Sequence, residues 1–182
     1  MKVTPTAIPD VKLIEPKVLG DARGYFLETW RDNLFREAGI DAAFVQDNQS
    51  SSARGVLRGL HYQVRQPQGK LVRVISGRVF DVAVDLRRSS PTFGRWTGAE
   101  LSADNRHMLW VPPGFGHGFY VLSESAEFVY KCTDYYAPEH ERVILWDDPG
   151  LGIAWPLLPG VETVLSAKDR AGVPFRDAEV FP

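Results

Sequence analysis

The segment Leu57–Gln63, with the sequence LRGLHYQ, places two basic side chains among apolar residues. Histidine titrates near neutral pH, so His61 is a candidate general base; the alternative is a core histidine bonded to a backbone carbonyl. Strict alternation along a strand would put Arg58 and His61 on opposite faces. Their joint use therefore requires a bulge or twist, which Gly59 would permit.

A second histidine lies in the glycine-rich segment PPGFGHGF, residues 112–119. The glycines allow sharp turns and a close approach between the backbone and a ligand. We therefore expect His117 to point into the space that the strands enclose. The alternative is a tight connection that exposes this histidine.

The apolar run 128–132 contains a tyrosine, Tyr130, which is a second candidate for proton transfer. If this run is a strand, Tyr130 shares a face with Phe128 and Cys132, and its hydroxyl points inward. A buried tyrosine can also serve packing alone, with its hydroxyl bonded to the backbone. The local pattern leaves both interpretations open.

The segment Ser166–Asp169 has the spacing of a capping box at the start of a helix. In this motif the Asp169 carboxylate would accept a hydrogen bond from the Ser166 backbone N–H. The same carboxylate gains a chemical role if it orients His61, as carboxylates orient imidazoles in other acid–base sites.

Short strands separated by turn residues are the main elements that the sequence predicts. Alternation and runs of β-branched or aromatic residues predict strands over 71–76, 80–86, 108–111, 119–122, 128–132 and 143–146. Two short helices are expected, one capped by Asp32 and ended by Gly39, the other begun by Ser166. This pattern is typical of an all-β sandwich or barrel, and we expect one domain over residues 1–182.

The composition excludes several classes of protein. The 182 residues include 44% hydrophobic and 24% charged side chains, and a net charge of -2 provides no basic field for nucleic acid. The single cysteine, Cys132, excludes an intramolecular disulfide and a four-thiolate zinc site. Prolines and acidic residues within residues 1–16 interrupt any signal-peptide core, and no run of about 18 apolar residues predicts a membrane span. We expect a cytoplasmic protein with neither nucleic-acid nor membrane partners.

The spacing Pro112-x-Gly114-x-x-His117 resembles the second motif of cupins, small β-barrels that often bind a metal. Metal-binding cupins have a His-x-His pair in their first motif, and Gln63 occupies the place of the second histidine here. The surrounding residues offer no dense set of nitrogen and oxygen ligands. We therefore predict no metal, which would leave the imidazole of His61 free for proton transfer.

Several motifs in fixed order resemble the dTDP-4-dehydrorhamnose 3,5-epimerase family over nearly the whole chain. The most distinctive are GDARGYFLE, FVQDNQS, VLRGLHYQ, PPGFGHGF, EFVYKCTDYY and LSAKD. The resemblance implies a cupin-type jelly-roll fold with a few short helices, and a homodimer formed by strand exchange. It also implies a dTDP-sugar substrate, no cofactor, and a place in making dTDP-L-rhamnose, a precursor of bacterial surface polysaccharide.

The resemblance also implies roles for individual residues. His61 matches the proton acceptor of the family, Asp169 the carboxylate paired with it, and Tyr130 the proton donor. The positions that match substrate-binding residues are Arg23, Glu28, Gln46, Asp47, Asn48, Arg58, Lys70, His117, Glu141 and Lys168.

The chemistry expected of these residues is proton transfer next to a ketone. In a 4-keto sugar, C3 and C5 flank the carbonyl, so inversion needs a base on one face and an acid on the other. Lys70 or Arg58 could place positive charge near O4, where negative charge develops. No step requires a redox cofactor, in agreement with the absence of a GxGxxG or GxxxxGK[ST] motif.

Three alternatives to this function remain at the level of sequence. The first is an epimerase that acts at C5 alone in the pathway of another deoxysugar. The second is a non-catalytic cupin that binds sugar nucleotides, although binding alone would not need His61, Tyr130 and Asp169 together. The third is a metal-dependent cupin oxygenase, for which the metal ligands are missing.

Overall fold

A computed structural model describes all 182 residues, and antiparallel strands dominate it. The strands are β1 (Lys2–Pro5), β2 (Lys12–Glu15), β3 (Val18–Asp21), β4 (Gly24–Leu27), β5 (Gln46–Ala53), β6 (Leu57–Gln63), β7 (Lys70–Ser76), β8 (Arg78–Asp85), β9 (Trp96–Ser102), β10 (Met108–Val111), β11 (Phe115–Val121), β12 (Ser125–Cys132) and β13 (Glu141–Val143). The helices are α1 (Asp32–Glu37) and α2 (Ala167–Arg170), with single 3-10 turns at Pro138–His140 and Phe175–Asp177.

Two sheets form the body of the molecule. One has the strand order β1-β2-β10-β7-β12-β5, and the other has the order β13-β6-β11-β8-β9. Strands β3 and β4 pair only with each other, as a separate hairpin. The prediction of an all-β, cupin-type jelly roll with a few short helices is confirmed.

The central core lies between the two sheets. Phe128 of β12 stacks on Phe119 of β11, with ring centroids 4.3 Å apart, and aliphatic side chains of both sheets surround this pair. The outer face of the five-stranded sheet is covered by segments from the C-terminal part of the chain, including Ile144, Leu151 and Ala178. Helix α1 packs Phe35 against the outer face of the other sheet.

Most predicted strands are present, and one is largely wrong. The run predicted over 143–146 ends as a strand at Val143; Ile144 still exchanges two backbone hydrogen bonds with Leu60 and makes an isolated bridge to Val173. The run predicted over 119–122 is longer than expected, because glycines of the PPGFGHGF segment continue the strand to Phe115 rather than ending it. No helix in the chain has both the length and the apolar character needed to span a membrane.

The predicted helix signals are partly correct. Ser166 caps α2, and the full capping box with Asp169 is present. Gly39 follows α1 with a φ of 74° as expected. The prediction that Asp32 caps α1 is wrong: Arg31 holds the cap position, and Asp32 is the first helical residue, where its carboxylate accepts a hydrogen bond from Arg36 one turn later.

Candidate active site

A cavity of about 350 Å³ opens between the two sheets at the end where β6 and β12 face each other. Its walls contain most of the residues that the sequence predicted to contact substrate. These are Gln46, Asn48, Arg58, His61, Lys70, His117, Tyr130, Glu141 and Lys168. Residues that sequence reasoning missed also line it, namely Ser50, Gln68, Gly118, Phe119, Phe128 and Tyr136.

His61 forms a short hydrogen bond with a buried carboxylate. Its Nε2 lies 2.6 Å from Oδ1 of Asp169, whose side chain is only 2% exposed. Asp169 also accepts hydrogen bonds from the backbone N–H of Gly59 and from Ser166. The capping and orienting roles are therefore filled by the same carboxylate.

Asp169 is ionised at neutral pH. Burial by itself raises the pKa of this carboxyl, but hydrogen bonds from His61 and Ser166 outweigh it and lower the pKa to about 2. A carboxylate accepts hydrogen bonds only, so Nε2 of His61 must be the protonated nitrogen. Nδ1 is therefore the nitrogen that can take a proton from a ligand.

Arg58 and His61 line the same cavity although they are three residues apart on one strand. The pairing between β6 and β11 shifts register between His117 and Phe119, and Gly59 has a φ of 120°. The predicted irregularity at Gly59 is thus confirmed. A Cβ atom at this position would lie 2.6 Å from the Cα of Gly118, so the close approach of the two strands requires glycine.

The opposite wall comes from the six-stranded sheet. Tyr130 of β12 lies in register between Asn48 of β5 and Val72 of β7. Burial raises the pKa of its phenol, so the hydroxyl keeps its proton at neutral pH. The ring packs beside Phe128, 5.9 Å between centroids, and no hydrogen bond ties the hydroxyl to the backbone. The hydroxyl is thus available to a ligand.

Lys70 provides positive charge in the same cavity. It is the first residue of β7 and pairs with Cys132 of the neighbouring strand. Burial lowers the pKa of its ammonium group, while the nearby Cys132, Glu141 and Asp81 act in the opposite direction. Lys70 is half-buried, and a cation partly removed from water interacts more strongly with developing negative charge than a fully exposed one does.

His117 is held by a second buried carboxylate. Both oxygens of Asp81 lie 3.0 Å from its Nε2, and Asp81 is completely buried. The inward orientation predicted for His117 is confirmed. Asp81 was not identified from the sequence, where it was assigned only to the alternation of strand 80–86; its contact with His117 depends on the pairing of β8 with β11.

The mouth of the cavity contains a linked set of polar groups. Oε2 of Glu141 accepts hydrogen bonds from Nζ of Lys168, at 2.7 Å, and from the hydroxyl of Tyr136, at 2.9 Å. Its other oxygen, Oε1, lies 3.6 Å from Nδ1 of His61. Burial raises the pKa of Glu141, but the bonds from Lys168 and Tyr136 outweigh this and keep it lowered.

Three residues predicted to bind substrate lie away from the cavity of their own chain. Arg23, in the β3–β4 hairpin, pairs with Asp21, and Glu28 contacts Arg31 at 3.4 Å. Asp47 points to the outer face of β5, because neighbouring strand residues alternate, and it pairs with Lys131 at 2.9 Å. No group of three or more His, Cys, Asp or Glu side chains in the chain is arranged to hold a metal ion.

Comparisons with known proteins match this chain to one family of sugar-nucleotide epimerases over nearly its whole length. The dTDP-4-dehydrorhamnose 3,5-epimerase family model matches residues 5–177. A dTDP-4-dehydrorhamnose 3,5-epimerase from Pseudomonas aeruginosa is 62% identical over 183 residues, covering 100% of both chains. A dTDP-6-deoxy-D-glucose-3,5-epimerase from Legionella pneumophila, solved with dTDP-4-keto-L-rhamnose, is 53% identical with a TM-score of 0.94, covering 98% of this chain and 94% of its own. A 3'-monoepimerase from Streptomyces bikiniensis, solved with dTDP-quinovose, is more distant, at 37% identity, a TM-score of 0.87 and coverage of 94% and 87%.

Proposed function

This chain belongs to the dTDP-4-dehydrorhamnose 3,5-epimerase family, and we propose that it converts dTDP-4-dehydro-6-deoxy-D-glucose into dTDP-4-dehydro-L-rhamnose by inverting C3 and C5. One observation supports this most strongly. An imidazole backed by an ionised carboxylate and a protonated phenol line the same cavity from opposite sheets. A binding protein has no need of such an opposed pair.

The first step is removal of a proton next to the ketone. Nδ1 of His61 takes the proton from the carbon, and the electron pair of the C–H bond moves into a C=C bond while the carbonyl electrons move onto O4. The ionised Asp169 stabilises the imidazolium that results. Lys70 lies in the same cavity and can stabilise the negative charge on O4.

The second step is protonation from the other face. The Tyr130 hydroxyl donates its proton to the carbon as the electrons return from O4, which restores the ketone with inverted configuration. The same pair then acts at the other carbon flanking the carbonyl. Oxidation states at the end equal those at the start, so this mechanism needs no electron carrier.

The nucleotide would lie towards the mouth of the cavity. Nε of Arg58 donates to the Ser52 hydroxyl at 3.0 Å and Nη2 donates to the Ser51 carbonyl at 3.2 Å. These contacts hold the guanidinium in place, and its remaining N–H groups can bind diphosphate oxygens. Lys168 adds a second cation there. Gln46 and Asn48 occupy alternate positions on β5 and can bind the edges of the thymine and ribose.

We further propose a cytoplasmic homodimer in which the whole chain acts as one domain and each hairpin reaches the neighbouring subunit. The β3–β4 hairpin exposes large apolar side chains, with Tyr25 60% and Phe26 68% exposed, as interface residues would be before assembly. The hairpin contains Arg23, which lies away from the cavity of its own chain, and Glu28 is the first residue after the hairpin. Exchange of hairpins would bring both residues to a partner's site.

This assembly predicts two results. The first is that analytical ultracentrifugation should give a mass of two 20.4 kDa chains. The second is that Arg23→Ala should raise KM with little change in kcat, because Arg23 would contact the nucleotide of the substrate. Arg54→Ala, which removes an exposed arginine paired with Glu124, is the matched control. A fully active monomer would contradict the proposal.

The reaction itself is tested by NMR of the 4-keto substrate in D2O. Deuterium should enter both C3 and C5, and a coupled rhamnose-forming reductase should consume the product. Label at one carbon only would identify a mono-epimerase, and no label at either would contradict the catalytic function.

A further inference from the structure

The mechanism leaves one proton without a destination. Each inversion moves a proton from carbon to Nδ1 of His61, and His61 must lose it before it can act at the second carbon. Asp169 offers no exit, because it faces Nε2, the ring nitrogen that already carries a proton, and its side chain is only 2% exposed. The proton must therefore leave from Nδ1, on the other edge of the ring.

We propose that Glu141 relays this proton from His61 to solvent, a role that rests on the function proposed above. Oε1 of Glu141 is the carboxylate oxygen that faces Nδ1, at 3.6 Å. This separation is beyond hydrogen-bonding distance, so Nδ1 stays free to approach the substrate carbon. A small rotation of either side chain after proton abstraction closes the gap.

The surroundings of Glu141 suit a relay. Lys168 and Tyr136 both bind Oε2, which fixes the carboxylate and leaves Oε1 directed towards the histidine. Glu141 is 13% exposed, whereas the side chain of Lys168 beside it is 49% exposed, so the carboxylate lies at the boundary between cavity and water. Its lowered pKa means that it is ionised when the proton arrives and passes it on to water.

The relay is balanced in protons and electrons. The imidazolium N–H bond breaks and an O–H bond forms on Oε1, which leaves neutral His61 and neutral Glu141. Water then takes the proton from Glu141, while another solvent proton restores the Tyr130 hydroxyl. Both groups are then ready for the second carbon.

The test is the ratio of two rates measured in D2O at low conversion. One is deuterium exchange into unreacted substrate, which requires the abstracted proton to leave His61 and a deuteron to return to the same face. The other is inversion, for which Tyr130 supplies the deuteron. Glu141→Gln keeps the shape of the side chain but cannot accept a proton, so the exchange-to-inversion ratio should fall by roughly 10²-fold, the lower end of what a positioned proton-transfer group contributes.

The outcomes separate the relay from other roles of Glu141. If Glu141 only binds substrate, both rates fall together or KM rises, the ratio is unchanged, and the proposal is overturned. Added formate should restore exchange in the variant in proportion to its concentration. Glu139→Gln, which changes an exposed carboxylate on the adjacent turn, should leave the ratio as in the parent. If the parent protein shows neither exchange nor inversion, the proposed function fails rather than the relay.

Discussion

His61→Asn should reduce turnover by roughly 10³-fold or more, within the range expected for loss of a positioned general base. The asparagine side chain can still occupy part of the space of the imidazole, and its amide N–H can still bond to Asp169. It cannot, however, take a proton from carbon. Deuterium exchange into substrate and inversion should therefore disappear together, at C3 and at C5. Affinity for dTDP, measured by calorimetry, should change little, because His61 is assigned to the sugar.

The control for this variant uses another of the four histidines. His107 lies just before β10 and does not line the cavity, so His107→Asn should retain parental rates. Near-normal activity of His61→Asn would remove the base from the mechanism. Loss of folding is monitored separately by thermal unfolding, since Asp169 would lose its bond to the imidazole.

The local patterns of the sequence predicted much of the fold because burial in a sandwich imposes period-two alternation. The run 128–132 is an example: its alternation correctly placed Tyr130 on the inner face beside Phe128. The capping box at Ser166 was equally local, since all its atoms come from four consecutive residues. Signals of this kind do not depend on the rest of the chain.

Contacts between distant segments were beyond the reach of these patterns. The bond between His61 and Asp169 joins residues 108 apart; the local patterns offered this pairing only as a condition, and the resemblance to a family was needed to predict it. Asp81 gained its role from a neighbouring strand, through His117, which alternation within β8 cannot reveal. Arg23 shows a further limit, because its proposed site belongs to another subunit.

Asp47 illustrates how a motif and a strand pattern can disagree. Matching the motif FVQDNQS assigned Gln46, Asp47 and Asn48 to substrate together. Three consecutive residues of one strand cannot share a face, and the structure places Asp47 on the outer side with Lys131. Applying the alternation to this motif would have separated the middle residue from its neighbours.

Tyr130→Phe should leave proton abstraction intact and impair the protonation that completes inversion. The variant removes one hydroxyl from the cavity and retains the ring that packs beside Phe128, so we expect a stable protein. Inversion should fall by roughly 10²-fold, while His61 continues to remove and return protons on its own face. The ratio of exchange to inversion should therefore rise, opposite to the change expected for Glu141→Gln.

The two carbons provide an internal comparison in this variant. If water replaces the phenol more readily at one carbon, NMR of the products should show inversion there and retention at the other. Tyr120→Phe is the matched control, because Tyr120 is fully buried and its hydroxyl contacts the Leu158 amide outside the cavity. An equal loss of exchange and inversion in Tyr130→Phe would show that the phenol acts in proton abstraction or in binding, and the assignment of acid and base to opposite sheets would then fail.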